Sequence, residues 1–139
     1  GRDNARAPMQ WDDGPYAGFS DAAPWIDVNP NYLKINVKNQ RADENSVLSY
    51  YRKLIELRKK APYKDILREG DFELIDPKHP DVFAYKREYT KDGLVVICNF
   101  RPYPVEFSIR GKEVILTNYQ QARQGNLLRP YEAIVYSLN

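Results

Sequence analysis

The chain has 139 residues, of which 42% are hydrophobic and 13% aromatic. This composition excludes a disordered chain, and the length suits one ordinary domain, or a small domain with an appendage. The 21 basic and 19 acidic residues leave a net charge of +2 and are interleaved along the sequence. Nothing in this pattern indicates a nucleic-acid partner or a membrane partner.

Two further observations concern the compartment. No stretch is apolar enough to span a bilayer, and no basic-then-apolar signal segment opens the sequence. The single cysteine, Cys98, lies inside an apolar run at 94–98, where we expect an inert core thiol. Since a lone cysteine cannot form an internal disulfide, a cytoplasmic chain is expected. The sequence also opens on Gly1 rather than methionine, as expected of a piece of a longer protein.

Residues 1–45, called the arm below, show neither helical nor alternating periodicity. A structureless stretch of this length is unusual inside a compact domain and indicates a functional loop or a disordered segment. Its many apolar and aromatic side chains, which need a surface to pack on, argue against a simple linker. We therefore expect a long loop whose packing partner lies outside this chain, and which is mobile in isolation. These side chains are Met9, Trp11, Tyr16, Phe19, Trp25 and Ile26.

Residues 43–60 are predicted to form a helix, because apolar residues recur there at a spacing of three and four. Asp43 or Ser46 can cap its start, and the basic run at 58–60 suits its C-terminal end. Pro62 disfavours helical geometry in the residue before it and is predicted to end the helix. The apolar stripe consists of Val47, Leu48, Tyr51, Leu54 and Ile55. Tyr50 and Tyr51 are interpreted as packing residues.

From residue 70 onward the period changes to two, and turn residues separate the apolar runs. Closely spaced strands with no helix between them predict an antiparallel sheet or sandwich. Residues 91–93 are interpreted as a hairpin turn, and 118–131 as a long loop. The predicted strands are 72–75, 82–89, 94–100, 105–109, 112–117 and 132–138. The predicted core residues are Val82, Ala84, Val95, Ile97, Phe107, Ile109, Val114, Leu116, Ile134 and Tyr136.

No catalytic set can be assembled from these residues alone. The one histidine, His79, lies in a turn and is interpreted as an exposed turn residue rather than a catalytic base. One histidine and one distant cysteine exclude a zinc site, no phosphate-binding glycine loop is present, and no cofactor or metal is expected.

The arm nevertheless carries a recognisable signature. Residues 2–12 read RDNARAPMQWD, and the pattern continues through AGFS at 17–20, PWI at 24–26, VNPNY at 28–32 and INV at 35–37. This colinear series, which extends into the helix, resembles the oligo-1,6-glucosidase and α-glucosidase branch of glycoside hydrolase family 13, the α-amylase family. Two departures are Gly1, where the family usually has serine, and Ala7, where it usually has threonine.

The resemblance implies a mainly β fold: a C-terminal antiparallel β-sandwich domain, preceded by the last loop and the eighth helix of a (β/α)8 barrel. Residues 1–61 would be the loop and helix, and residues 62–139 the β domain. The partners implied are an oligosaccharide substrate and the barrel of the same polypeptide, on which the β domain would bury an apolar face. Whether the parent cleaves isomaltose, maltose, trehalose-6-phosphate or a sucrose-type substrate stays open.

The family's three catalytic carboxylates lie on earlier barrel strands, and none of their motifs occurs in this sequence. The resemblance therefore implies no catalytic residue here and an inactive isolated chain. It implies that Arg2 contacts the hydroxyls of the terminal glucose and that Arg6 lines the same pocket. A guanidinium suits this role because it offers several donors in a fixed plane. The alternative for either arginine is that it only anchors the loop, through Asp3 or a barrel carboxylate.

Trp11 and Trp25 are interpreted as packing residues rather than sugar platforms, since burial is the commoner use of an aromatic ring. Two other functions stay open: a carbohydrate-binding module without hydrolytic activity, and a β-sandwich interaction domain. A carbohydrate-binding module should expose a row of aromatic residues along one strand face, and the sequence shows only Tyr85 and Tyr89 as candidates.

Overall fold

The structure is a computed structural model that describes residues 3–139, with every side chain in that range except that of Asn4. The chain divides into two compact units, with the division between Arg52 and Lys53. The boundary between 61 and 62 expected from the resemblance stays a prediction. Among the described residues, no helix is both long and apolar enough to cross a membrane.

The first unit consists of short turns. Three 3₁₀ turns span Asp3–Arg6, Pro15–Gly18 and Pro30–Leu33, and a six-residue helix, α1, spans Val37–Ala42. Sequence periodicity did not predict α1 because the helix is short and lacks an apolar stripe. Its start is fixed instead by Asn36, whose side chain accepts a hydrogen bond from the Asn39 amide at 2.8 Å and donates one to the Tyr32 carbonyl at 2.8 Å.

Helix α2 spans Val47–Lys59, so the predicted start at residue 43 was four residues early. Ser46 is the residue that caps it, since its hydroxyl accepts a hydrogen bond from the Ser49 amide at 3.1 Å. The Asp43 carboxylate instead accepts from the Asn45 amide and forms a turn before the helix. Most of the predicted apolar stripe is exposed in this chain, with Val47 66%, Tyr51 61% and Ile55 49% accessible.

A third helix, α3 at Tyr63–Glu69, was not predicted. Pro62 does end α2, but it also occupies the N-cap position of α3, where the missing N–H of proline is harmless. Ile66 anchors α3 through a buried side chain. The helix ends at Gly70, where an added Cβ would lie 2.4 Å from the Ile66 carbonyl oxygen, so the chain path here requires glycine.

The second unit contains a five-stranded antiparallel sheet and a two-stranded ladder. The sheet order is β1-β2-β3-β7-β5, and the ladder pairs β4 with β6. Six strands were predicted; the seventh, β6, has two residues and is too short for a period-two pattern. Strands β2 and β3 are joined by Thr90 and Lys91, and Asp92 and Gly93 belong to β3 rather than to the turn. The strands are Asp71–Ile75 (β1), Val82–Tyr89 (β2), Asp92–Asn99 (β3), Val105–Glu106 (β4), Val114–Thr117 (β5), Leu127–Leu128 (β6) and Ala133–Ser137 (β7).

The core lies between the large sheet and the ladder, so the predicted sandwich of two β layers is confirmed. The sheet contributes Val82, Ala84, Val95, Ile97, Ile134 and Tyr136, and the other layer contributes Val105, Phe107 and Leu128. Two of the ten predicted core residues were wrong. Val114 is exposed because β5 is an edge strand whose register shifts between residues 114 and 116. Ile109 is exposed because it lies beyond the end of β4.

The opposite face of the large sheet is also apolar. We call it the outer sheet face; pairing registers place on it Phe72, Leu74, Phe83, Tyr85, Val96 and Cys98. The ring of Tyr85 lies 5.0 Å from that of Phe72 and 5.7 Å from that of Phe83. Partial burial raises the pKa of the Cys98 thiol, which keeps it protonated and unreactive, as expected of a structural cysteine.

Candidate functional site

The structure describes only one of the two arginines of the signature, Arg6. Arg2 lies outside the described residues, so its predicted contact with a sugar stays a prediction. Arg6 is the last residue of the first 3₁₀ turn and its side chain is exposed. Within the described part of the chain Arg6 forms no ion pair, including none with Asp3.

Gln10, which the sequence analysis did not identify, connects the segment that follows Arg6 to residues 31–37 by hydrogen bonds. Its side-chain amide donates to the Asn31 side chain at 2.7 Å and to the Ile35 carbonyl at 2.6 Å. Its own carbonyl accepts from the Val37 amide at 2.9 Å. The segment after Arg6 is thus hydrogen-bonded to the residues that lead into α1. This part of the arm therefore has internal contacts that an irregular loop would lack.

An ion pair supports the same attachment. The Lys38 Nζ atom lies 2.8 Å from a carboxylate oxygen of Asp13. Hydrogen bonding to Lys38 lowers the pKa of Asp13, and the same bond raises the pKa of Lys38. Because both side chains are exposed, solvent screens the ion pair. We therefore expect it to orient the two side chains and to contribute little to the free energy of unfolding.

The turn at 11–19 has an unusual backbone. The Ala17 carbonyl accepts hydrogen bonds from the amides of both Trp11 and Asp12, at 2.9 and 3.1 Å. Tyr16, Ala17 and Gly18 follow one another in the left-handed region, with φ of 51°, 58° and 65°. For a residue with a side chain this conformation costs about 1–2 kcal/mol, so the first two are strained. Such strain persists only where surrounding contacts enforce it, and it is frequent at functional sites.

Asp12 is the centre of this turn. Its carboxylate accepts a hydrogen bond from the Gly14 amide at 2.8 Å. At Gly18 an added Cβ would lie 2.6 Å from a carboxylate oxygen of Asp12, so only glycine fits there. The turn is closed by the Phe19 amide, which donates to the Tyr16 carbonyl at 3.1 Å. Tyr16 and Phe19 remain 39% and 49% exposed. Both border an open cleft of about 620 Å³, and Tyr16 also borders a second cleft of about 420 Å³.

The tryptophans of the arm are exposed in this chain, Trp25 to 85% and Trp11 to 47%. The expectation that they pack on a surface outside the chain stays a prediction. Exposed tryptophan and apolar side chains on one segment are typical of an interaction surface rather than of free protein surface.

The single histidine, His79, lies in the second unit. The Nδ1 atom of His79 accepts hydrogen bonds from the amides of Asp81 and Val82, at 3.2 and 3.0 Å, and its ring packs edge-on against Phe107. His79, which was expected to be an exposed turn residue, is half-buried, and its hydrogen bonds fix the turn before β2. Between residues 3 and 139, no group of three or more histidine, cysteine, aspartate or glutamate residues is arranged to hold a metal ion.

Comparison with known families gives two matches in chain order. Residues 1–70 match the α-amylase catalytic-domain family, and residues 72–131 match the maltogenic amylase C-terminal domain family. Because the first model covers half of the chain, the chain belongs to the α-amylase family. The resemblance inferred from the arm is thereby confirmed, as is the fold it implied: an antiparallel β domain that follows the end of a barrel domain.

Individual relatives agree with this assignment. The chain is 45% identical over 146 residues to an oligo-1,6-glucosidase of Halalkalibacterium halodurans, covering 98% of this chain and 26% of that protein. It is 43% identical over 148 residues to a trehalose-6-phosphate hydrolase of Bacillus subtilis, covering 99% of this chain and 26% of the relative. The chain therefore spans about a quarter of the length of the curated relatives it matches.

A solved structure shows the same arrangement of elements. The isomaltulose synthase of Klebsiella sp. LX3 superposes with a TM-score of 0.89 at 36% identity, over 98% of this chain and 25% of that protein. Oligo-1,6-glucosidases, a trehalose-6-phosphate hydrolase and an isomaltulose synthase thus share this segment, so the segment alone does not distinguish their substrates.

Proposed function

We propose that this chain is the C-terminal part of a retaining, exo-acting α-glucosidase that hydrolyses α-1,6 or α-1,4 glucosidic bonds of short oligosaccharides. The observation that carries the proposal is the 45% identity to an oligo-1,6-glucosidase over 98% of the chain. In this proposal residues 1–61 form the last loop and eighth helix of the barrel, and residues 62–139 form the β domain. A cytoplasmic location belongs to the same proposal, supported by the free, half-buried thiol of Cys98.

The proposed chemistry requires groups that this chain does not supply. Retaining hydrolysis uses a carboxylate nucleophile and a carboxylic acid/base about 5 Å apart, one on each side of the scissile bond. The earlier part of the polypeptide would provide both, so the isolated chain is expected to be inactive. The arm would contribute Arg2 and Arg6, whose planar guanidinium groups can each donate to adjacent hydroxyls of the terminal glucose. The exposure of Arg6 supports this role.

The proposed partner of the apolar surfaces is the barrel of the same polypeptide. The exposed stripe of α2 and the outer sheet face, with Phe72 55% exposed, support this assignment, since apolar surface of this kind is normally covered in a complete protein. The proposed role of the β unit is therefore structural, with its sandwich core providing a rigid support.

The first test compares the full-length protein with the 139-residue chain on isomaltose, maltose and trehalose-6-phosphate. We expect glucose release by the full-length protein, with the α-anomer formed first in an NMR time course, and none by the isolated chain. If the full-length protein cleaved only trehalose-6-phosphate, the proposed substrate would change to this phosphorylated disaccharide. Release of glucose from isomaltose by the 139-residue chain would overturn it.

The second test concerns Arg6 in the full-length enzyme. Arg6→Lys keeps the charge and loses the planar fork, so kcat/KM should fall by about tenfold or more, the equivalent of one lost charge-assisted hydrogen bond. Arg41→Lys, which changes an exposed arginine at the end of α1, is the matched control and should have no effect. If both variants behave alike, Arg6 has no role in binding.

The alternative of a carbohydrate-binding module has one observation in its favour. The outer sheet face carries Phe72, Tyr85 and Phe83 as a continuous row, which the sequence did not reveal. Titration of the 139-residue chain with isomaltotriose and maltotriose, followed by NMR, separates the two functions. Shifts confined to the outer sheet face would favour a binding module, and the absence of shifts there agrees with a packing surface.

A further inference from the structure

Arg87 places a positive charge on the apolar outer sheet face. In the pairing register it lies directly opposite Phe72 in β1 and Leu94 in β3, and residues opposite one another in an antiparallel pair share a face. Arg87 therefore follows Tyr85 along this face at a spacing of two residues. Burial raises the pKa of the Tyr85 hydroxyl, and the positive charge of Arg87 opposes this rise, as expected of two neighbours on one face.

The guanidinium of Arg87 is only partly satisfied. Its Nη2 atom donates to the carbonyl of Gly70, the residue that ends α3, at 2.5 Å. Its Nε atom is buried and has no hydrogen-bond partner, and among the described side chains no other buried nitrogen or oxygen is in this state. A buried donor without an acceptor is destabilising, and native proteins rarely keep one. Additional chain can only cover Nε further, so its need for an acceptor holds in a longer polypeptide as well.

The carboxylates next to Arg87 in the sheet bind another cation. Glu73 follows Phe72 and Glu88 follows Arg87, so both point to the opposite face of the sheet. The Lys86 Nζ atom lies 3.1 Å from a carboxylate oxygen of Glu73 and 2.8 Å from one of Glu88. Within the described residues Arg87 forms no ion pair. Strands β1 and β2 therefore supply counter-charges to Lys86, and the counter-charge of Arg87 has to come from another segment.

The charge and shape of Arg87 define the group that would satisfy it. A charge that becomes covered requires an opposite charge and hydrogen bonds, because its desolvation is otherwise destabilising. A guanidinium presents its Nε–H and Nη–H groups in one plane, and this fork fits the two oxygens of a carboxylate. The bond to the Gly70 carbonyl fixes the guanidinium before such a partner binds. The expected partner is therefore an aspartate or glutamate side chain.

We propose that Arg87 joins the outer sheet face to the barrel of the same polypeptide, through an ion pair with an aspartate or glutamate of the barrel. The inference rests on the proposed function, because it names the contact by which the proposed barrel partner binds the β unit. The chain covers 26% of its oligo-1,6-glucosidase relative, so a longer polypeptide has ample chain to supply the carboxylate. The match to the catalytic-domain family ends at residue 70, whose carbonyl Arg87 binds, so Arg87 lies at the junction of the two matched families.

The direct test is a crystal structure of the full-length protein. We expect a carboxylate oxygen of the barrel at about 2.7–2.9 Å from the Arg87 Nε atom, the distance of a charge-assisted hydrogen bond. A water molecule or a backbone carbonyl at this place, with no barrel carboxylate within about 4 Å of the guanidinium, would overturn the proposal.

Hydrogen exchange tests the same contact in solution. In the full-length protein, Arg87→Met leaves the barrel carboxylate without its partner, so the amides of residues 71–75 should exchange about tenfold faster, the equivalent of one lost charge-assisted hydrogen bond. Arg110→Met, the same substitution at an exposed arginine, is the matched control and should change exchange there by less than about twofold. Arg87→Lys keeps the charge without the planar fork, and it should restore only part of the protection.

The 139-residue chain separates a contact with the barrel from a role inside the second unit. In this chain the carboxylate is missing, so Arg87→Met removes the single bond to Gly70 together with the unsatisfied Nε atom, and exchange at 71–75 should change by less than about threefold. Equal acceleration in the full-length protein and in the 139-residue chain would show that Arg87 acts within the second unit alone.

Failure of the proposed function gives a different result. A full-length protein that releases no glucose from isomaltose, maltose or trehalose-6-phosphate contradicts that function, while the crystal structure and the exchange rates still report on Arg87. A full-length protein that cleaves isomaltose but holds no barrel carboxylate against Arg87 overturns the ion pair alone.

Discussion

Arg129 donates from its backbone amide and its guanidinium to the carboxylate of Glu132, with the shortest contact, Nη2 to Oε1, at 2.6 Å. Glu132 is fully buried, so its charge has no compensation from water. The guanidinium of Arg129 also lies 3.8 Å from the ring centre of Tyr119, which covers it. The pair thus fixes the loop that leads into β7, the strand between β3 and β5 in the large sheet.

The first prediction follows from this pair. Glu132→Ala removes the buried acceptor of the Arg129 backbone amide and of its guanidinium, which is itself 32% exposed, so it should lower the free energy of unfolding of the second unit by about 1–3 kcal/mol. Urea denaturation followed by circular dichroism measures the change. Glu106→Ala, an exposed glutamate in β4, is the control and should change stability by less than about 0.5 kcal/mol. If Glu132→Ala and Glu106→Ala lowered the free energy of unfolding equally, the contact between Arg129 and Glu132 would not be stabilising.

A second prediction concerns Arg123, whose side chain is 6% exposed. It donates to the Phe107 carbonyl at 2.8 Å, to the Tyr136 hydroxyl at 3.1 Å, and to the Ile109 carbonyl. These bonds join the layer of β4 to strand β7 on the other side of the core. Arg123→Met keeps much of the volume but leaves several carbonyls without a donor, so it should cost about 2–4 kcal/mol.

Two other substitutions calibrate that result by the same urea measurement. Tyr136→Phe removes a single hydrogen bond and should cost only about 0.5–1.5 kcal/mol. Arg110→Met, at an exposed arginine, should be close to neutral. If Arg123→Met proves as mild as Arg110→Met, the guanidinium does not hold the two layers together.

The third prediction compares two glycines with the same backbone conformation. Gly18 has φ of 65° and Gly125 has φ of 67°, but an added Cβ meets the Asp12 carboxylate at Gly18 and nothing within 4 Å at Gly125. Gly125→Ala should therefore cost only the left-handed penalty of about 1 kcal/mol, while Gly18→Ala adds a steric clash and should cost about 2–3 kcal/mol.

Hydrogen exchange measures this difference locally. The amides of Asp12 and Phe19 report on the turn around Gly18, and the amide of Phe107, which binds the Asn126 carbonyl, reports on the turn around Gly125. Equal losses of protection at the two sites would mean that the turn at 11–19 relaxes freely and does not hold its aromatic rings.

The fourth prediction concerns pH. Hydrogen bonding to Lys38 lowers the pKa of Asp13 below its ordinary value of 3.8. A carboxylate with a lowered pKa in the folded state stabilises the fold above its unfolded pKa, and this contribution disappears as the pH falls through the lower folded pKa. The tie between Asp13 and Lys38 should therefore persist at neutral pH and be lost only below about pH 4.

An NMR titration of the Asp13 carboxyl group tests this directly. In the wild-type chain the midpoint should lie below 3.8, and Lys38→Met should return it toward that value. Lys34→Met removes another exposed lysine of the first unit, which is not paired with Asp13, and it should leave the midpoint unchanged. An unshifted midpoint in the wild-type chain would contradict the ion pair.

Much of the second unit could be predicted from the sequence, because the apolar residues at 82–89 and 94–99 alternate and their pairing fixes one buried face. The failures were at short elements. Strand β6 and helix α1 have two and six residues, which is too few for periodicity, and α3 was concealed by a proline that was interpreted only as a stop signal.

The candidate site was less accessible to sequence reasoning. Arg2 and Arg6 were identified through the family signature and not through any local pattern. The strained turn could not be predicted because only Gly18, of the three left-handed residues, is a type that favours this conformation. Glu132 looks like a surface charge in the sequence, since only the three-dimensional fold buries it beside Arg129.

The two tryptophans, Trp11 and Trp25, both lie in the first unit, and the second unit has none. Indole emission excited selectively at long ultraviolet wavelengths therefore originates only from the arm. Because both rings are solvent-exposed in the isolated chain, their emission should be red-shifted and accessible to a collisional quencher such as iodide. The chain thus carries its own optical reporter, which needs no label and signals by a blue shift when the arm becomes covered.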